Sequence, residues 1–156
     1  MIDSQTAAFI QTGVSISVAA CGADRLPSMS RGMGCRVSDS GNEVRVFVKR
    51  SQAAELIENI RYSARVANVF SLPSTNRTVQ LKGRDARMEA FDAADLAIIE
   101  EHIALFLEQV VPLGIPEEVA RVILAYRVED LATVVYTPSA AFSQTPGPKA
   151  GKPLLG

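Results

Sequence analysis

The chain has 156 residues, 47% of them apolar and 21% charged, with a formal net charge of −1. That length can bury one core without disulfides or a structural metal. A charge so close to zero excludes a global field for nucleic acid or an anionic membrane, so any basic site must be local.

The two cysteines, Cys21 and Cys35, lie in apolar, strand-like stretches. This predicts buried, reduced thiols rather than a disulfide between neighbouring strands. No basic segment followed by an apolar run opens the chain, and no stretch has the length of a membrane helix, which points to a cytoplasmic protein.

In chain order, residues 4–12 predict a short helix ended by Gly13. Residues 14–20 read as a strand with Val14, Ile16 and Val18 on one face, followed by a turn over 21–25. Residues 26–37 form a second strand carrying Pro27, Gly32 and Gly34, where glycine lets a backbone or ligand come close. A turn over 38–42 leads to a third strand, 43–49, so the first three strands make an antiparallel meander. A helix over 51–62 turns Ala54, Leu56, Ile57 and Ile60 inward, and strands over 65–72 and 77–89 follow.

Asp92 is placed to cap a long helix, with Asp95 in capping-box position and Leu96, Ile99, Ile103, Phe106 and Val110 as its buried stripe. Pro112-Leu113-Gly114 stops it, Pro116 opens another helix to about residue 125, and a last strand covers 131–137. The expectation is a mainly β fold with flanking helices: a six-stranded antiparallel barrel, closed or partly open. Residues 1–137 form its single domain, with a helical insertion around 92–125. Residues 138–156, rich in Pro, Gly, Ser and Lys, form an irregular tail able to lie across a subunit surface.

The junction of the third strand with its helix carries the most chemistry. Lys49 and Arg50 stand beside Ser51, which reads as an N-cap. Two cations at a positively polarised helix start are costly unless something negative lies between them, and free amides with cations suit a phosphate. The bland alternative has both side chains in water. The single histidine, His102, follows Glu100 and Glu101 on or near the polar side of the long helix and has no metal-ligating partners at matching spacing. Metal: none is predicted.

Three segments, in order and spacing, resemble the pyridoxamine 5′-phosphate oxidase-like, FMN-binding split-barrel family. Pro27-Ser-Met-Ser-Arg-Gly-Met-Gly-Cys-Arg36 is similar to a family strand with two basic residues five apart, here Arg31 and Arg36. Val46 to Asn59 is similar to the strand, Ser-capped helix and closing Asn, shortened at the junction. Asn76-Arg-Thr-Val-Gln-Leu-Lys-Gly83 is similar to a third motif. Gln52-Ala53 replaces the family's Arg-Lys pair, Thr78 replaces a Gln, and the chain has no Trp, so true pyridoxamine-phosphate oxidase activity is not carried over.

The resemblance implies a split barrel of the FMN-binding type, with FMN between the two subunits of a homodimer. Arg31, Lys49 and Arg50, helped by Ser51, would hold the phosphate, with Arg36 and Gln52 in the same set. Gly32, Met33, Gly34 and Val48 would frame the flavin ring, and Thr78 and Gln80 would bond the ring or ribityl chain. The redox chemistry would be the flavin's own, so no catalytic side chain is named. The function implied is an FMN-binding flavoprotein, an oxidoreductase acting on a small molecule. The alternatives are a non-catalytic holder of flavin or haem, or a dimeric interaction protein of the same fold.

Overall fold

A computed structural model describes residues 1–154; the last two residues of the expected tail lie outside the described residues. Asp3 caps α1 (Ser4–Ile10), accepting from the Thr6 N–H. Alternating burial then makes β1 (Ser15–Cys21), β2 (Pro27–Val37) and β3 (Val44–Lys49), joined as antiparallel neighbours. After these come α2 (Ala54–Ser63), β4 (Val66–Ser71), β5 (Thr78–Gly83), β6 (Arg87–Ala90) and α3 (Leu96–Val110). The chain continues through α4 (Glu117–Ile123), β7 (Leu131–Tyr136) and β8 (Pro138–Ser143).

The fold is mainly β with flanking helices, but the sheet has eight strands, in the order β6-β7-β3-β2-β1-β4-β5-β8, and not the six expected. The first extra strand arises because the expected strand over 77–89 breaks at Arg84-Asp85-Ala86. There Gly83 packs so tightly on Tyr136 that a Cβ would lie 2.5 Å from its ring, and the Asp85 carboxylate accepts from the Thr137 N–H at 2.9 Å. The second arises because 138–143, expected to be irregular, pairs with β5 as β8.

These breaks shape the sheet. Six strand spacings of about 4.8 Å would set β5 roughly 29 Å from β6 if the sheet were flat. The link over 84–86 reaches only about 14 Å fully extended, so the sheet must curl. Inside the curl, Ile16, Val18, Val46, Val48, Phe70 and Leu81 pack with Leu56, Ile57 and Ile60 of α2. Outside it, Met33 of β2 and Phe47 of β3 are covered by Ile99, Phe106, Leu107 and Val110 of α3.

The helical period predicted for α3 places Ile99, Phe106 and Val110 inward, while Leu96 and Ile103 are only half-buried. The expected capping box does not form. Asp92 caps a separate 3-10 turn, Ala93–Asp95, and Asp95 pairs with Arg36 instead. Both cysteines are free; Cys35 is buried as expected, but Cys21, at the hairpin end of β1, is exposed. Among the described residues no helix is long and apolar enough to cross a membrane.

Candidate functional site

A bulge in β2 sets the site. Gly32 pairs with Val48 and Cys35 with Val46, so Met33 and Gly34 together oppose Phe47 alone. Gly34 takes φ +145° there, a conformation side-chain-bearing residues rarely adopt. The extra residue shifts the alternation. Arg31 and Arg36, an odd number apart, therefore both point outward, while Gly32 and Cys35 both point into the curl. This is the physical content of the five-residue spacing in the Pro27–Arg36 motif.

The structure divides the predicted set. Gly32 faces the interior, where a Cβ would lie 2.5 Å from Ile16 Cγ2, so its small size serves packing. Val48 is fully buried in the same interior. Met33 is fully buried on the other side, under α3. Arg36 forms an ion pair with Asp95 (Nε–Oδ1 3.0 Å) and is held there.

The strand–helix junction is satisfied by the chain itself. Lys49, 6% exposed, donates from Nζ to the carbonyls of Ala125 (2.9 Å) and Ile123 (3.3 Å), so it closes the C-terminal end of α4. Arg50 donates from Nε to the Leu131 carbonyl at 3.2 Å and is otherwise exposed. Ser51 does not cap α2, whose N-cap is Ala53 with no side-chain bond. Residues 50–52 form a 3-10 turn instead, with Gln52 exposed. The Ser51 N–H and hydroxyl both donate to the Asp130 carboxylate, at 2.9 and 2.5 Å. Bonding from Ser51 holds the Asp130 carboxyl below the usual carboxylate range. The negative group that the junction calls for is therefore present, and it is an aspartate 79 residues along the chain.

Arg31 is different. Among the described residues it has no carboxylate partner and no hydrogen bond; its guanidinium lies 6.0 Å from the Phe106 ring centroid. Cross-strand register extends a row from it over the outward face: Arg31 opposite Ser17, Ser17 opposite Val69, Val69 opposite Gln80, Gln80 opposite Phe142. Every member of the row is half-buried, and among the described residues no helix packs substantially on the outward face of β4, β5 or β8. Thr78 lies on the same face, two residues along β5. The tail reaches it: Gln144 donates its N–H to the Thr78 carbonyl (2.8 Å) and Nε2 to Gln80 Oε1 (3.4 Å).

His102 was misplaced by sequence reasoning. It is 4% exposed, packed over Gly34 and stacked on Phe106. Burial depresses its pKa to about 4, against an opposing hydrogen bond with the Thr12 backbone and with a smaller push from Arg31, so the ring is neutral at neutral pH. Among the described residues no group of three His, Cys, Asp or Glu side chains could hold a metal. Asp130, Phe106 and Gln144 were also missed. Their partners lie 64 to 79 residues away, and no local pattern marks such pairs.

These residues fit an anionic flavin cofactor in part. Arg31 supplies an unsatisfied fork, and Ser17, Thr78 and Gln80 supply polar groups on one open face. The Ser51 amide does not fit a phosphate while Asp130 occupies it.

Neither the known protein-family profiles nor the curated proteins contain a match to the chain. Solved structures do match. HupZ of Group A Streptococcus aligns over 97% of this chain and 100% of its own at 14% identity, with a TM-score of 0.56. A candidate pyridoxamine 5′-phosphate oxidase from Lactobacillus delbrueckii aligns over 90% and 93% at 13% identity, TM-score 0.53. HutZ, a haem storage protein from Vibrio cholerae, aligns over 91% and 94% at 12% identity, TM-score 0.51. At such identities the likeness is one of architecture alone: the chain shares its fold with HupZ, HutZ and the candidate pyridoxamine 5′-phosphate oxidase.

Proposed function

We propose that the chain is an FMN-binding flavoprotein whose cofactor lies on the outward face of β2, β1, β4 and β5. The observation that carries this reading is the unpartnered Arg31 guanidinium at the head of a row of small and polar side chains that no helix covers. Arg31 is the principal phosphate ligand, because a forked donor with no competing carboxylate keeps its full capacity for an anion. Arg50 contributes its exposed guanidinium nitrogens. Gln80 and Thr78 orient the polar edge of the ring, and the Gln144 contact lets the tail limit its movement.

A bound flavin would supply the redox chemistry itself. The chain's residues then bind and orient it, and the neutral His102 behind Arg31 adds no competing charge. The enzyme reading is an oxidoreductase acting on a small molecule. Two copies facing each other across this uncovered face would bury it and shield the cofactor from water.

A non-catalytic haem holder is the second reading, since HutZ shares the fold. His102 disfavours it. The one histidine of the chain is buried between α3 and β2 and offers no exposed nitrogen to an iron. The test is to denature the purified protein and identify what is released. Oxidised FMN supports the proposal; haem, or no chromophore after incubation with excess FMN, contradicts it.

A further inference from the structure

A groove of about 370 Å³ opens on the outward face at the hairpin end of β1, away from Arg31. Ala19 and Ala67 lie in its floor, Cys21 is at its edge, and Arg65, Lys82 and Arg84 surround it. All three cations are exposed, and none enters an ion pair among the described residues. Lys82 has only the Phe142 ring, 5.2 Å from Nζ to the centroid. The adjacent carboxylate, Asp85, is turned away to the Thr137 N–H.

Three like charges around one concavity repel one another, in a protein whose net charge is −1. Elsewhere Arg36, Arg45 and Arg87 have carboxylates and Lys49 has carbonyls. Arg31 also lacks a carboxylate among the described residues, but this groove brings three such cations to one concavity. Two arginine forks and an ammonium suit the oxygens of a phosphate, and an apolar floor suits a short carbon body. A phosphate monoester, at close to two negative charges, matches three cations better than a carboxylate does.

We propose that this groove binds a small phosphate monoester, its head held by Arg65, Lys82 and Arg84 and its body against Ala19 and Ala67. The groove lies on the same outward face, two residues further along β1, β4 and β5 from Ser17, Val69 and Gln80, and its occupancy does not depend on the flavin reading.

The test uses phenyl phosphate, with phenol as the uncharged control. Cys21 is a built-in reporter, because Cys35 is buried and only the Cys21 thiol is open to iodoacetamide. Phenyl phosphate is expected to bind saturably by calorimetry and to slow Cys21 alkylation, while phenol does neither. The double variant Lys82→Gln/Arg84→Gln, whose side chains are exposed, should keep its circular dichroism and lose at least about tenfold in affinity, since charge-assisted bonds carry the binding. Unchanged alkylation at saturating phenyl phosphate overturns the proposal, as does equal affinity in the double variant. Displacement of phenyl phosphate by riboflavin, which has no phosphate, would also overturn it, because the cations would then not be what selects the ligand. A protein that takes up no FMN yet binds phenyl phosphate here would refute the flavin reading and uphold this one.

Discussion

Asp130 and Ser51 are joined twice, the carboxylate of one accepting from both the backbone N–H and the hydroxyl of the other. An anion thus already sits at the junction of β3 with the turn before α2. It repels any phosphate approaching Arg50, and it ties the loop before β7 to the strand that β7 pairs with. Asp130→Asn keeps the shape and removes the charge. FMN affinity should rise about two- to tenfold, as expected for deleting one like charge at a partly screened site. Stability should fall by about 1 kcal/mol, because hydrogen bonds to a charged acceptor are exchanged for weaker ones. Flavin fluorescence titration and urea unfolding read the two effects.

Lys49→Met tests the opposite role for a residue that sequence alone assigns to the phosphate. Its ammonium bonds two carbonyls at the end of α4. Removing it leaves those acceptors short of a partner and should cost about 1–3 kcal/mol. Urea unfolding should show that loss, while FMN affinity should change by less than about threefold once folding is intact, because the head group is already committed.

How much of this was legible in the sequence follows from the range of the interactions. Alternation and turn residues are local, so β1 to β4 stand within a residue or two of where patterning puts them. The α3 stripe is local too, but its polar flank misled. Glu100 and Glu101 suggest an outward His102, whereas the bulge at Gly34 leaves a recess that the imidazole fills. Ser51 carries every mark of an N-cap, and the partner that takes it is 79 residues away. The break at 84–86 is set by Tyr136 and Thr137, which come to it only when the sheet curls. The β8 strand hides in Pro- and Gly-rich sequence because its partner, β5, supplies the order. Arg31 was legible as a motif position; its lack of any partner was not.

Gly32→Ala should separate packing from ligand access. A Cβ there meets Ile16 and Val46, both fully or almost fully buried and unable to withdraw. A loss of about 1–3 kcal/mol is expected from overpacking, with no change in FMN affinity for the folded fraction. A thermal melt combined with titration distinguishes this from a glycine that admits the ring, which would lose affinity without losing stability.

His102 predicts a pH dependence. Its folded pKa, about 4, lies below the ordinary imidazole value of 6.5. The folded state therefore binds fewer protons than the unfolded chain between those values, and stability falls as pH falls. The contribution is complete above about pH 6.5, declines through the interval and is gone by about pH 4, on the order of 3 kcal/mol in all. His102→Phe should flatten that part of the stability–pH curve, measured by urea unfolding at a series of pH values. An unchanged slope would show the ring to be solvated.

The central claim is that Arg31 receives the phosphate of a flavin on the open face of the sheet. It is tested most directly by titrating FMN into the purified protein and into Arg31→Ala, following the quenching of flavin fluorescence. The account predicts saturable binding that weakens by at least about tenfold in the variant, the loss of a forked charge-assisted contact. FMN binding that is absent at high concentration, or equal in the two proteins, would contradict it.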